Sequence, residues 1–311
     1  MPGHSYNMIV VIGPTATGKT RLGVSLARKL GGEIISADSR QVYRGLDIGT
    51  GKDLEEYGRG THKVAVHLID VVDPMEVYNL YMFQRQCSEV IRRLWAKNTL
   101  PVMVGGTGLY VESILLRYDL RDAPDDPELK KELDRLSMDE LVSRLVRIKP
   151  KLHNTTDLVD REHLVRAIEI ATHFPSQSPP DLPQVDALVL GTGFSREEVY
   201  SRIGVRLRQR LEQGLVEEVQ GLVQHGVTWE RLDDLGLEYR YVALYLRGEI
   251  KTLDDLHDKL WQAIRRFARR QMAWFRRMER RGVEIHWLAG ADVDQALELI
   301  DGLGRFDIPV A

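Results

Sequence analysis

The sequence has one cysteine, Cys87, which excludes an internal disulfide framework and a cysteine-based metal cluster. Cys87 lies in an amphipathic stretch and reads as a small core or helix-surface residue. No apolar run reaches membrane-spanning length, and the first residues carry no basic-then-apolar segment of the signal type. Neither sign of charge dominates, because the formal net charge is −3 over 311 residues, so bulk charge selects no partner. There is no internal repeat. These absences lead to the expectation of a soluble, reduced, cytoplasmic protein with no membrane contact, and a monomer. Apolar residues make up 43% of the chain, enough for a real core in one large domain or two ordinary ones.

The stretch 8–30 organises the rest. An apolar run, Met8-Ile9-Val10-Val11-Ile12, leads into Gly13-Pro14-Thr15-Ala16-Thr17-Gly18-Lys19-Thr20, and then Leu22, Leu26 and Leu30 recur at helical spacing. Strand, glycine-bracketed loop, Gly-Lys-Thr and helix form the Walker A pattern in its required context. The glycines let backbone amides turn inward as an anion nest. The helix start adds its dipole and free N–H groups. Lys19 brings a point charge, and the Thr20 hydroxyl suits a Mg2+ held on a diphosphate. The pattern specifies a polyphosphate or diphosphate, and it does not specify ATP.

Further apolar runs predict buried strands over 33–37, 64–70, 100–104 and 187–190, with a short one over 283–288. Helices are predicted over 81–97 and 292–303. Strands alternating with helices argue an α/β fold, a parallel sheet in three layers, which binds ligands beyond the carboxyl ends of its strands. Asp38, Asp70 and Thr107 lie at such ends. The strand-like runs vanish from about 122 to 183, where helices are predicted over 126–136, 138–148 and 158–172, followed by a Pro- and Ser-rich loop at 174–180. The expected division is a core of 1–121 and 184–311, carrying arginine-rich helices in its C-terminal part, and a helical insertion domain of 122–183.

Asp38, at a strand end facing the phosphate loop, suits Mg2+ binding through water, a general base, or a helix cap. Asp70 ends its strand in the same way, but strand-terminal aspartates are common in loops. His67 reads as a satisfied interior histidine. Gly105-Gly106-Thr107-Gly108 permits any tight turn, and beside a phosphate loop it suggests close approach of a ligand. Arg202, Arg206, Arg208 and Arg210 cluster in one segment. Residues 265–281 hold eight arginines and one glutamate, above an apolar stripe of Ile264, Ala268, Met272 and Phe275. A solvated face normally mixes signs. This one does not, which points to RNA or polyphosphate. Trp274 could stack on a base, whereas Phe275 reads as core.

With these blocks in hand, the chain resembles the tRNA dimethylallyltransferase (tRNA isopentenyltransferase) family over nearly its whole length. The resemblance rests on the phosphate loop, on Ser36-Ala37-Asp38-Ser39-Arg40-Gln41-Val42-Tyr43 with Ile48-Gly49-Thr50, on His67-Leu68-Ile69-Asp70, on Val104 to Tyr110, and on Ala268-Arg269-Arg270-Gln271-Met272-Ala273-Trp274-Phe275-Arg276. It implies a P-loop NTPase-like core and transfer of a dimethylallyl group from dimethylallyl diphosphate to the exocyclic amine of the adenosine beside a tRNA anticodon. Mg2+ and residues 13–20, including Lys19 and Thr20, would hold the diphosphate, with Arg202 or Arg206 neutralising charge on it. Thr20 and Asp38 would be the residues at the metal, and Asp38 would take the proton. Asp38, Ser39, Arg40 and Gln41 would grip a flipped base, and Thr107 would fill the gap it leaves. Lys130, Arg166, the segment to Tyr239 and Arg240, and Arg269, Arg270, Gln271, Trp274 and Arg276 would line the RNA path, with the insertion on the anticodon stem-loop. The chain departs from the family pattern at His163, Glu238, Ile264 and 174–180, all in the RNA-facing half. Competing expectations are prenyl transfer to a free adenine nucleotide, a small-molecule kinase, and a non-catalytic RNA-binding paralogue.

Overall fold

A computed structural model describes residues 4–58, 60, 63–118, 120, 126–148, 161–173 and 182–309. The chain divides into two compact units, one of residues 1–116 and 183–311 and one of residues 117–182.

The larger unit is built on a fully parallel sheet of β2 (Met8–Ile12), β3 (Gly32–Ser36), β4 (Val66–His67), β5 (Leu100–Gly105), β6 (Ala187–Gly193) and β7 (Ile285–Ala289), in the order β4-β3-β5-β2-β6-β7. β2 is buried along its whole length, as its unbroken apolar run requires of a strand covered on both faces. Its alternating side chains separate two cores. Met8, Val10 and Ile12 face one core, and Ile9 and Val11 the other. The second core is closed by α1 (Lys19–Leu30) and α12 (Val293–Leu303), through Leu22, Leu26, Ala296 and Ile300. The first is closed by α2 (Leu80–Ala96), α3 (Gly108–Leu115), α8 (Leu215–Gln224), α9 (Trp229–Leu235), α10 (Leu237–Leu246) and α11 (Leu253–Arg280), through residues such as Phe83, Tyr110, Val219, Leu235, Tyr239 and Phe275. α7 (Arg196–Glu212) packs on α11 through Ile203, Leu207, Leu260 and Ile264. A small parallel pair, β1 (His4–Tyr6) with β8 (Gly304–Phe306), joins the two ends of the described chain.

The strand expected over 64–70 shortens to Val66–His67. Leu68 and Asp70 take positive φ angles of 64° and 55°, which end extension. The strand expected over 187–190 instead runs to Gly193, because β6 has partners on both sides. Because the sheet is parallel, the loops after β2, β3, β5 and β6 emerge at one edge.

The smaller unit contains α4 (Pro127–Asp134), α5 (Met138–Ile148) and α6 (Arg161–His173), packed on a leucine-rich core that includes Leu133, Leu141, Leu145 and Leu164. Asp126 caps α4 by accepting from the Leu129 N–H at 3.0 Å, with Pro127 at the first turn. The Arg161 guanidinium closes the far end of α4 on the carbonyls of Leu133, Asp134 and Leu136. Among the described residues no helix is long and apolar enough to cross a membrane.

Candidate active site

The loop after β2 turns tightly enough that only glycine fits at its start. A Cβ on Gly13 would lie 2.0 Å from the Thr192 Oγ1. Thr17 is fully buried, and its hydroxyl bonds the Pro14 carbonyl at 2.8 Å and Thr192 at 2.7 Å. Its side chain therefore shapes the nest and is not offered to a ligand. The Lys19 ammonium folds back on the Pro14 carbonyl at 2.7 Å. Burial pushes its pKa down to about 8, the Arg206 charge pushes the same way, and Asp38 opposes both.

Lys19 and Thr20 line a cavity of about 590 Å³ together with Thr15, Asp38, Arg206 and Arg210. Arg210 is buried at 8% exposure. Burial and the neighbouring Arg206 hold its pKa down at about 10, against the pull of Glu238. Crowded cations that weaken each other's hold on protons make a site that an anion relieves. Asp53 meets Arg206 at 2.5 Å, and Glu238 meets Arg210 at 3.4 Å, so part of this charge is already balanced. Burial raises the pKa of Glu238, against the pull of Arg210.

Asp38 follows β3 and turns the chain by accepting from the Arg40 N–H at 2.9 Å. Across the cavity mouth, the Thr107 hydroxyl accepts from the Ser39 N–H at 3.0 Å and so ties the two strand-end loops together. The Gln41 carboxamide accepts from the Ser36 hydroxyl at 3.1 Å and donates to the Gly51 carbonyl at 3.2 Å. Gln271, 7% exposed on the buried side of α11, accepts from the Thr15 N–H and donates to the Gly106 carbonyl, both at 2.9 Å. It thus joins the phosphate loop to the second glycine cluster. At Gly108 a Cβ would lie 2.3 Å from Trp274 Cδ1, so glycine there lets the indole reach the cavity wall.

One cavity gathers most of the sequence-predicted set: Asp38 to Gln41, Thr107, Arg206, Tyr239, Arg240, Arg270, Gln271 and Trp274 join the phosphate loop. Arg202 does not. It is exposed, and its guanidinium lies 4.2 Å from the centre of the Phe194 ring. Arg206 is therefore the one of the pair that faces the cavity. Tyr239 is 1% exposed and gives its hydroxyl to Glu218 at 2.8 Å, so it acts within the wall and has no surface to offer RNA. Asp70 is tied to the buried Lys52, which also holds Asp47 at 2.6 Å and the Tyr43 carbonyl at 2.8 Å. His67 pairs with Glu33 at 2.6 Å. Both residues are structural.

The arginine-rich helix also divides. The Arg277 and Arg281 guanidinia each meet the fully buried Glu112 at 2.6 Å, and Arg265 stacks 4.0 Å from the Tyr200 ring. Those three hold the fold together. Arg266, Arg269, Arg270, Arg276 and Arg280 are exposed. Lys130 is exposed on α4 in the smaller unit, while Arg166 and His163 fall on α6 with side chains outside the described residues, as does the segment 174–180.

Sequence reasoning missed Lys52, Glu112 and Glu218. Glu112 did leave a signal, a lone acid in the apolar run Gly108–Leu115. Lys52 and Glu218 left none, because their partners are set by the folded loop. No group of three His, Cys, Asp or Glu side chains among the described residues can hold a metal. The Thr20 hydroxyl and the Asp38 carboxylate are hard oxygen donors on one cavity. They fit a Mg2+ that takes its other ligands from a diphosphate and water.

The IPP transferase family model matches residues 41–278, and an isopentenyl transferase model matches residues 6–73. tRNA dimethylallyltransferase 1 of Geotalea uraniireducens is 51% identical over 286 residues, 92% of this chain and 93% of its own length. tRNA dimethylallyltransferase 2 of Trichlorobacter lovleyi is 51% identical over 292 residues, 93% of this chain and 94% of its own. Among solved structures, the tRNA isopentenylpyrophosphate transferase of Bacillus halodurans superposes with a TM-score of 0.67 at 32% identity, covering 95% of this chain and 94% of that one. A eukaryotic dimethylallyltransferase acting on tRNA gives 0.68 at 25% identity, over 87% of this chain and 70% of its own. With a phosphate nest, a carboxylate and arginines on one cavity and such relatives along its length, this chain belongs to the IPP transferase family, that of the tRNA dimethylallyltransferases.

Proposed function

We propose that this enzyme transfers a dimethylallyl group from dimethylallyl diphosphate to the N6 amine of the adenosine 3′-adjacent to the tRNA anticodon. The observation that carries the chemistry is the sharing of one cavity by the nest, Asp38 and Arg206. The nest amides, Lys19 and Arg206 bind the diphosphate and meet the charge that grows on it as the C1–O bond breaks. The adenosine N6 attacks C1, forms the C–N bond, and gives its proton to the Asp38 carboxylate, while the bonding pair leaves with the diphosphate. Thr20 and Asp38 would hold Mg2+, which would supply further charge neutralisation on the diphosphate.

An amine stacked in RNA is out of reach, so the base must leave the stack. Ser39, Arg40 and Gln41 hold it at the cavity mouth, and Thr107 stands where it came from. Trp274 and the exposed Arg269, Arg270 and Arg276 bind the RNA backbone and neighbouring bases. The helical unit, with Lys130, holds the anticodon stem-loop. Incubation with Mg2+, dimethylallyl diphosphate and bulk tRNA, followed by nuclease digestion and mass measurement, is expected to show a prenylated adenosine. Product from AMP and none from tRNA, or ATP-dependent phosphorylation in its place, would overturn the assignment.

A further inference from the structure

The loop at residues 47–49, downstream of Asp38, is fixed from outside by one carboxylate. Glu218, on α8, accepts four hydrogen bonds. Its Oε2 takes the N–H groups of Asp47 and Ile48 at 2.9 and 2.6 Å. Its Oε1 takes the Gly49 N–H at 3.0 Å and the Tyr239 hydroxyl at 2.8 Å. Tyr239 in turn packs under Gly49 so closely that a Cβ there would lie 2.6 Å from its ring. Four donors on one carboxylate leave the loop at 47–49 little freedom, because charge-assisted bonds are the strong ones.

The next carbonyls of that loop point at the cavity groups. Gly49 O receives Arg210 at 2.9 Å. Gly51 O receives the Gln41 carboxamide at 3.2 Å and Arg206 at 3.4 Å. One carboxylate thus sets the loop, and the loop sets a glutamine at the base end and an arginine at the diphosphate end. Glu218 itself is not among the residues lining the cavity.

We infer that Glu218 is a positioning residue for prenyl transfer: by holding the amides of residues 47–49 it aims Gln41 and Arg206 through the Gly51 carbonyl. The inference rests on the transfer reaction proposed above. A shift of about 1 Å in such groups costs up to about a hundredfold in rate.

The test compares Glu218→Ala, Glu218→Gln and the exposed neighbour Glu217→Gln in single turnover, with enzyme in excess over tRNA. Glu218→Ala is expected to lower the rate constant about 10- to 100-fold with the product amplitude unchanged. Glu218→Gln, which keeps an accepting oxygen, falls between, and Glu217→Gln matches the unmodified enzyme. A merely structural loss would reduce the amplitude and leave the rate constant, and that result overturns the inference. A second readout needs no turnover: the affinity for inorganic diphosphate, measured by calorimetry. A several-fold weakening in Glu218→Ala supports positioning through Arg206, and unchanged affinity overturns it. If the unmodified enzyme transfers nothing, the reaction assignment fails, and the diphosphate measurement alone decides the positioning.

Discussion

The depressed pKa of Lys19 gives the proposed diphosphate site a pH signature. Burial and Arg206 bring the ammonium to about 8 in the free protein. A diphosphate binds the charged form, so above that pH the enzyme must take up a proton to bind. The apparent Kd then grows as one plus ten to the power (pH − 8), which is about 1.1-fold at pH 7 and about 11-fold at pH 9. Affinity for dimethylallyl diphosphate is therefore expected to fall about tenfold between pH 7 and pH 9, ~1.4 kcal/mol. The sign follows from the depression: the site is fully charged below 8 and loses its charge as pH rises through it. The ligand's own second phosphate ionisation, near pH 6, is already about 90% complete at pH 7 and changes little across this range. Equilibrium titration without tRNA reads the effect, with proton uptake followed in parallel. Lys19→Arg keeps its charge at all these pH values and should give a flat profile. Arg206→Ala removes a repulsive charge and should move the break to higher pH. Equal affinity at pH 7 and pH 9, or a Lys19→Arg profile as steep as that of the unmodified enzyme, would refute the reasoning.

The division of the arginine-rich helix makes further predictions. Replacing Arg269 and Arg276 with Ala should reduce the slope of log affinity for tRNA against log salt by about 1.4–1.8, since each exposed phosphate contact contributes about 0.7–0.9. An unchanged slope would remove these residues from the RNA surface. Arg277→Ala should leave the slope alone and lower the melting temperature instead, because Arg277 serves Glu112. Glu112→Ala should destabilise the fold by about 2 kcal/mol, less than for a fully buried pair because both guanidinia reach solvent. Chemical denaturation at fixed salt measures it. Gly108→Ala should displace Trp274 and weaken RNA binding while the affinity for diphosphate alone stays unchanged.

Much of this architecture is legible in the chain because it depends on local pattern. The run Met8–Ile12 is apolar at every position, as a central parallel strand must be, and the nest follows it directly. Asp38 and Thr107 were placed by a simple rule, that strand ends in a parallel sheet share an edge. The helices of the smaller unit were legible where the strand-like runs stop. What was not legible depends on contacts between distant segments. Eight arginines on one stretch look alike in sequence, yet Glu112, 165 residues before Arg277, takes two of them out of the surface. Arg202 and Arg206 are one turn apart on α7, and only the packing of that helix turns Arg206 to the cavity and leaves Arg202 on Phe194. The resemblance put Gln271 on the RNA path, and in the structure its carboxamide bridges Thr15 and Gly106 from the buried side of α11. Asp70 looked like a site residue because it ends a strand, and Lys52 claims it.

In the proposed reaction the Asp38 carboxylate removes the proton from the attacking amine. Asp38→Asn tests it most directly, because the amide keeps an oxygen to accept from the Arg40 N–H and so preserves the turn. With tRNA and dimethylallyl diphosphate both bound, the single-turnover rate of adenosine prenylation should fall about 10²- to 10⁴-fold, with tRNA affinity within about twofold of the unmodified enzyme. A near-normal rate in that variant would show that the proton leaves by another route.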